Sequence, residues 1–509
     1  MEKGRVTIFA LTECPHCKRA KGALTKRGIP YQEISLSTHP SKRTDMLSLA
    51  DRLSVPQVFF NEKHIGGADE TLALLEKWDE EGLYPTALER YQKEVESQPG
   101  PTDPRLAIPT TPPVVEKPPP PRNESEDMIK LPGADGQTVT VFEIIKTLIK
   151  KMPCKDLSYR LKTYKNSFKG SEGVKFFMMH YGLSDVKEAV SFGQMLQKRK
   201  ILDHVTMDHD FDNNDNFFRI QPYMKPKVLN SFRVWVDRVE SDAMALLNRL
   251  NKLMGSIISK ATDGNGYVDY LAAAEDEKYF TFEENVCELQ GVSMASMDDK
   301  TKLAFGINLY NLMIKYAFIK LGTPDSDLAR DSFFSNVSIN IGGDVLSFKG
   351  LENGILRGNK KPPYQPTVKF LRGDPRLKLV LSKPDPRIHF GLNCGAKSCP
   401  PVKKFTVDAI EEELRIVALA FCEQSDNVIV DDDKCELHLS TILNWYQSDF
   451  AESKSALPKA VVNYLRGDSK EKLQKMIESK KVIKVKFTKY DWGTNALKSK
   501  TYSSNFLQA

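Results

Sequence analysis

Val6-Thr7-Ile8-Phe9-Ala10-Leu11-Thr12-Glu13-Cys14-Pro15-His16-Cys17-Lys18-Arg19-Ala20-Lys21 is the stretch that decides the fold of the first hundred residues. Its apolar start, 5–10, predicts a short strand, and the run from Lys18 onward reads as a helix. A Cys-x-x-Cys placed after a strand and at a helix start is a redox signature. Cys14 falls at the helix N-terminus, where free backbone N–H groups and the helix dipole favour a thiolate. Pro15 suits the first helical position, since the N–H it lacks would have no partner there anyway. Cys17, one turn on, is placed to attack and resolve a mixed disulfide at Cys14. The alternatives are a zinc half-site and a pair of core cysteines. Zinc would want a second Cys/His pair, and the rest of the segment offers only His39 and His64.

Working outward, 31–35 reads as a second strand, 41–53 as a helix and 55–60 as a strand entered through Pro56. Gly66-Gly67-Ala68-Asp69 then opens a helix over 70–80. In order and spacing, Cys14-Pro15-His16-Cys17, Ser54-Val55-Pro56 and Gly66-Gly67-Ala68-Asp69 resemble the dithiol glutaredoxins over about residues 5–84. The resemblance implies a thioredoxin-like fold, glutathione as the cofactor, and Cys14 and Cys17 as the catalytic pair. It implies a cis Pro56 facing Cys14, with the backbone of Val55 pairing glutathione. Gly66, Gly67, Ala68 and Asp69 would hold the γ-glutamyl end. Many members carry a lysine a few residues before the first cysteine. Here Ala10, Leu11, Thr12 and Glu13 stand there, so Lys18 and Arg19 are the cations expected to compensate, with Lys18 counted in the glutathione site. Glu13 disfavours a thiolate beside it.

Residues 99–121 hold ten of the 29 prolines and cannot form a helix or a central strand. They read as an extended spacer, which gives a first domain over 1–97 and a linker over 98–126.

In residues 127–225 the helix 142–151 is amphipathic. Phe168-x-Gly170, Val174, Glu188-Ala189, Gly193-x-x-Leu196, Ile201, His204-Val205 and Phe217-Phe218-Arg219 resemble a DEP domain. That implies a winged-helix-like fold with a β-hairpin and no catalytic residues, docking to an anionic membrane surface or a signalling protein. Residues 138–175 hold nine Lys/Arg against three Asp/Glu, and 203–215 hold five Asp and no Lys or Arg. Such polarity suits an anionic surface. No nucleic-acid reading motif accompanies it, so nucleic acid is not expected. The run Asp208-His209-Asp210-Phe211-Asp212-Asn213-Asn214-Asp215 lacks the glycine and glutamate of a calcium loop, and no metal site is expected.

Residues 226–509 form the remaining domain, with its core at about 285–495. The stretch 302–321 is apolar nearly all round and predicts a buried central helix, stopped by Gly322 and Pro324. Asn308 and Asn311 share one of its faces and are expected to brace neighbouring loops. Phe305-Gly306-Ile307-Asn308, Leu351-Glu352-Asn353-Gly354-Ile355-Leu356-Arg357, the run from Asp385 to Pro400, and Tyr490-Asp491-Trp492 resemble the domain-of-unknown-function family 547. That implies an α+β arrangement related to papain-like and transglutaminase-like folds. It raises a site of His389 and Cys394, with Glu352 or Asp385 orienting the histidine. Zinc held by His389, Cys394 and Cys399 lacks a fourth ligand. A packed structural loop with Arg357 and Glu352 in a buried network is the plainer reading.

The whole is thus read as a multidomain α/β and α+β chain. Its 509 residues suggest about three domains at roughly 150 each. With 40% apolar and 28% charged residues it is not a disordered chain. The net charge of +6 lies largely in the DEP-like segment, where 127–227 carries 17 Lys/Arg against 12 Asp/Glu. Eight cysteines are too few for a disulfide framework. The stretch 303–321 is interrupted by Lys315, so no transmembrane helix is expected. With no signal peptide before residue 6, the expected location is cytoplasmic, with peripheral membrane attachment through the DEP-like segment. Two functions stay open. One is a glutathione-dependent thiol–disulfide oxidoreductase acting on disulfide or glutathionylated proteins. The other is a signalling or scaffold protein whose weakly active glutaredoxin fold binds glutathione.

Overall fold

The computed structural model describes residues 3–11, 14–110, 127–131, 137–235 and 242–502. They form two compact units: 1–119 with 403–438 and 458–486, and 120–402 with 439–457 and 487–509.

The first unit is built on a four-stranded sheet in the order β2-β1-β3-β4. β1 (Val6–Ala10) runs parallel to β2 (Tyr31–Ser35) and antiparallel to β3 (Gln57–Phe60), which pairs with β4 (Lys63–Gly66). The whole of β1 is buried because both sheet faces are covered. Val6, Ile8 and Ala10 pack with Cys17 and Leu24 of α1 (Pro15–Lys26) and with Leu75 and Trp78 of α3 (Ala68–Glu81). Phe9 and Phe59 face the other way, onto Met46 and Leu47 of α2 (Lys42–Ala50).

The chain stays packed beyond residue 97. Gly4 N–H donates to the Gln98 carbonyl at 2.7 Å, and the Thr102 and Asp103 N–H groups donate to Glu62 Oε1. The turn Pro104–Leu106 buries Leu106 completely against the α2 side of the sheet. The first part of the expected linker is therefore held by an apolar anchor. Pro118-Pro119-Pro120-Pro121 lie outside the described residues. Ala409 and Ile416, the latter on the helix Ile410–Cys422, join that same apolar cluster. Arg43 Nε donates to the fully buried Glu413 carboxylate at 2.6 Å.

The second unit holds the DEP-like segment. Its sheet runs in the order Lys155–Tyr159, Lys162–Lys169, Phe217–Ile220, Leu202–His204. The helices Val141–Lys151, Gly170–Tyr181 and Val186–Lys198 pack over a core of Phe168, Val174, Phe177, Phe192, Phe211 and Phe218. A Cβ on Gly193 would lie 2.1 Å from the Phe211 ring, so the glycine is what admits that phenylalanine. Gly193→Val is expected to destabilise this core by about 1–3 kcal/mol, read as an earlier urea unfolding midpoint.

No packing break occurs at the expected boundary between 225 and 226. Phe232 and Cys287 belong to the same core, and Arg233 bridges Asp127 at 2.7 Å and Glu284 at 2.9 Å. The expected central helix is Asp299–Leu321, buried nearly all round. It stops at Gly322, whose φ of +91° and close approach to the Lys500 carbonyl exclude any side chain. Among the described residues, no helix is long and apolar enough to cross a membrane.

Candidate active site

Cys14 is the N-cap residue of α1, with extended backbone, and Pro15 follows it in the first turn. The Cys17 N–H donates to Cys14 Sγ at 3.1 Å. Burial, aided by the side-chain hydrogen bond with Cys14, pushes the Cys17 thiol up to about 12. The two sulfurs thus differ in surroundings: Cys14 is half-buried and reachable, while Cys17 is buried and stays protonated near neutral pH.

Across from Cys14 lies the loop entering β3. The Val55–Pro56 peptide bond is cis. Cys14 Sγ lies 3.7 Å from the Val55 carbonyl oxygen. Gly67 stands next, with the position of its missing Cβ 3.6 Å from the Pro56 carbonyl. Gly66 closes β4 with φ +126°, Gly67 caps α3, and Ala68 and Asp69 begin that helix. Asp69 is exposed and accepts from Arg19 of α1 at 2.9 Å. Lys18 is exposed on α1, one turn from Cys14, and its N–H donates to the Cys14 carbonyl.

The structure therefore brings Cys14, Cys17, Val55, Pro56, Gly66, Gly67, Ala68 and Asp69 to one end of the sheet. Lys18 and Arg19 lie beside them on α1. Thr12 and Glu13 lie outside the described residues. One residue that sequence reasoning missed is Arg52, which pairs with Glu70 where the Gly67 N–H also donates to that carboxylate. The hydrogen bond from Arg52 is the main cause of the lowered Glu70 pKa. Its place two residues before Ser54-Val55-Pro56 was the available signal.

Residues 6–65 match the family model described as Glutaredoxin. Glutaredoxin 3 of Escherichia coli strain K12 is 39% identical over 69 residues, which is 14% of this chain and 83% of that protein. The chain belongs to the glutaredoxin family. Glutaredoxin 1 of Rickettsia bellii is 34% identical over 92 residues, or 17% of this chain and 90% of that protein. The solution structure of glutaredoxin from Brucella melitensis matches at 29% identity, covering 19% of this chain and 94% of that one, with a TM-score of 0.15. Residues 151–220 match the DEP model, described as the domain found in Dishevelled, Egl-10 and Pleckstrin. Residues 294–422 match the family described as "Protein of unknown function, DUF547". This is therefore a multidomain chain that joins a glutaredoxin domain to a DEP domain and a DUF547 domain.

The second unit contains a separate cavity of about 530 Å³, lined among others by Glu352, His389, Cys394, Cys399, Tyr446 and Tyr490. His389 is buried, stacks on Tyr446 at 3.7 Å between ring centroids, and shares a 2.8 Å hydrogen bond from Nε2 to Asp449 Oδ2. The orienting carboxylate is thus neither of those expected. Asp385 is engaged by Arg387, and Glu352 accepts from the Tyr446 hydroxyl at 2.5 Å. Arg357 grips Asp449 through Nε at 2.6 Å and Nη2 at 3.0 Å. Glu352 and Arg357 meet through Tyr446, whose hydroxyl donates to Glu352 and whose ring lies 4.8 Å from the Arg357 guanidinium. Asn311 braces the following loop, donating to the Gly391 carbonyl and accepting from the Asn393 N–H. Cys394 and His389 line the same cavity, but the partners of Cys394 Sγ are Cys399 Sγ at 2.8 Å and the Tyr490 hydroxyl at 3.4 Å.

On the DEP domain, His204, Asp208 and His209 each bring one ligand atom within 4.8 Å of the others. His204 Nδ1 is already engaged by Thr206 and Asp208, so the trio reads as a lock on the turn.

Proposed function

We propose that the glutaredoxin domain is a glutathione-dependent thiol–disulfide oxidoreductase that the DEP domain docks to an anionic surface. The observation that carries the first part is Cys14 Sγ at the N-cap of α1, accepting the Cys17 N–H and facing the Val55 backbone. Cys14 attacks a disulfide or glutathionylated sulfur, forms the mixed disulfide and releases the first thiol. Cys17, kept as a thiol by burial, gives up its proton as it attacks Cys14 and releases the second. Glutathione, the electron donor, restores the dithiol. It fits the strip beside Cys14: the exposed Val55–Pro56 backbone leads to the N-terminus of α3, whose dipole suits a carboxylate. Val55, Pro56, Gly66, Gly67, Ala68 and Asp69 would hold it. Lys18, Arg19 and Arg52 supply positive charge in place of the lysine that does not precede Cys14. The proposed division is 1–97 glutaredoxin, 127–225 DEP and 226–509 carrying DUF547, and the DUF547 domain is proposed as papain/transglutaminase-like in fold.

Docking is supported by the hairpin joining Lys155–Tyr159 to Lys162–Lys169. Its tip presents a fully exposed Leu161 between Arg160 and Lys162, with an exposed Tyr159 just before them. An apolar tip ringed by cations suits an anionic lipid surface. Lys169 is a poor probe, since it pairs with Asp215 at 3.1 Å. Arg160→Glu with Lys162→Glu is expected to weaken liposome flotation about 30-fold or more, at roughly 1 kcal/mol per basic residue. Unchanged flotation on vesicles with one-third phosphatidylserine (~33%) would remove the electrostatic account.

A further inference from the structure

Outside the glutaredoxin domain, Cys394 and Cys399 are a pair of cysteines whose sulfurs meet. They lie 2.8 Å apart, and a disulfide would need them only about 0.8 Å closer. The intervening loop is pre-shaped. Gly395 takes φ +85°, the Gly395 N–H donates to Asn393 Oδ1, and the Asn393 amide donates to the Pro400 carbonyl. The Cys394 N–H donates to Cys399 Sγ at 3.1 Å, and the Tyr490 hydroxyl lies 3.1 Å from that same sulfur. Both cysteines are half-buried and line the cavity.

The surroundings also split the pair. Burial acts to raise the Cys399 thiol, but donors from Cys394, Tyr490 and two backbone N–H groups outweigh it and bring it down. Cys394, as the donor to its neighbour and partly withdrawn from water, is pushed up. One sulfur is thus suited to leave or attack as a thiolate, and the other holds the proton. Cys154, Cys287 and Cys422 contrast with this. Cys287 and Cys422 are buried with thiols pushed up, and burial raises Cys154 to about 11. Zinc does not fit the pair, since His389 Nε2 is committed to Asp449.

We propose that Cys394 and Cys399 form a reversible disulfide and that this disulfide is a substrate of the Cys14/Cys17 centre. The second half rests on the oxidoreductase reading above. Glutathione disulfide is the oxidant that loads the pair. The Cys399 thiolate attacks it and releases one glutathione, and Cys394 then closes the disulfide and releases the other. In the return step Cys14 thiolate attacks Cys394, the Cys394–Cys399 bond breaks, and Cys399 leaves as the thiolate that Tyr490 stabilises. Cys17 attacks Cys14, forming the Cys14–Cys17 disulfide and freeing Cys394, which takes up a proton. Two electrons and one proton pass from the Cys14/Cys17 dithiol to the Cys394–Cys399 disulfide, and the negative charge moves from Cys14 to Cys399. Transfer within a chain or between two chains balances equally.

The test uses the full chain, equilibrated with glutathione disulfide, then returned to reduced glutathione and quenched with N-ethylmaleimide at intervals. Mass spectrometry of the peptide carrying Cys394 and Cys399 reads either two maleimides or the loss of two hydrogens. The disulfide is expected to dominate after oxidation. Its reduction should be at least about tenfold slower in Cys14→Ser than in the unaltered chain. Tyr490→Phe should slow disulfide formation several-fold at pH 7 and less at pH 9. Maleimide on both cysteines after oxidation, or equal reduction rates with Cys14→Ser, overturns the proposal. The same preparation is assayed on a small mixed disulfide. Turnover there without Cys14-dependent reduction of the pair overturns this inference alone, while no turnover overturns the oxidoreductase reading.

Discussion

Cys14→Ser is expected to abolish turnover of a small mixed disulfide in a glutathione reductase-coupled assay, a fall of at least about a thousandfold. The serine keeps the N-cap acceptor for the Cys17 N–H, so the fold at the start of α1 should survive. What it removes is the only reachable sulfur of the pair. Cys17→Ser should behave differently. Glutathione itself can resolve a mixed disulfide at Cys14, so the small-substrate rate should stay within about tenfold. A protein disulfide needs the second sulfur, and its reduction should be lost. If the unaltered chain shows no turnover, the oxidoreductase reading falls and a glutathione-binding interaction protein takes its place. Equal activity in Cys14→Ser would move the chemistry elsewhere.

The second large effect belongs to the DUF547 domain. Arg357 has 1% of its side chain exposed and Asp449 5%, and they form a two-pronged pair with His389 on the same carboxylate. A buried pair adds little over an apolar replacement, but removing one partner strands the other charge. Asp449→Ala is therefore expected to cost about 3–5 kcal/mol, read as a large fall in the urea midpoint. Asp449→Asn, which keeps a hydrogen-bond acceptor, should cost less.

The same network sets an acid limit. The neighbouring His389 and Arg357 hold Asp449 well below the usual carboxylate range, although burial opposes them. Burial holds His389 below its ordinary value, against the pull of Asp449. Both folded-state values are depressed, so the unfolded chain binds more protons on the acid side. The stability from His389 is complete above about pH 6.5 and is lost as pH falls below that value. The share from Asp449 is complete above about pH 4 and is lost as pH falls further. Stability of this unit should drop on acidification in two stages. In Asp449→Ala the lower stage should be reduced, and an unchanged acid profile there would contradict the assignment.

Much of the glutaredoxin site was legible because its parts are local. A strand, a Cys-x-x-Cys at a helix start, Ser54-Val55-Pro56 and Gly66-Gly67-Ala68-Asp69 each announce themselves within a few residues. The DEP core was legible in the same way, through Phe168, Gly193 and Phe218. What was hidden depends on long-range pairing. Asp449 lies 60 residues from His389, in a short helical turn with no motif of its own. Tyr490 lies 91 residues from Cys399. The nearer acids, Glu352 and Asp385, were reasonable sequence choices, yet each is held by a different neighbour. The helix Ile410–Cys422 is buried over most of its surface, and no local pattern says against what.

That helix has a consequence for how the chain is made. The apolar cluster between the Phe9 and Ile34 face of the glutaredoxin sheet and Leu47 of α2 is completed by Ala409 and Ile416. These arrive some 300 residues after Leu106. At ribosomal speed that is a wait of roughly 15–60 s. During that interval α2 and Leu106 already cover this side of the sheet, but their apolar cluster is left partly exposed, the kind of surface that chaperones hold. The glutaredoxin domain is thus complete only once residues 409–416 have been made.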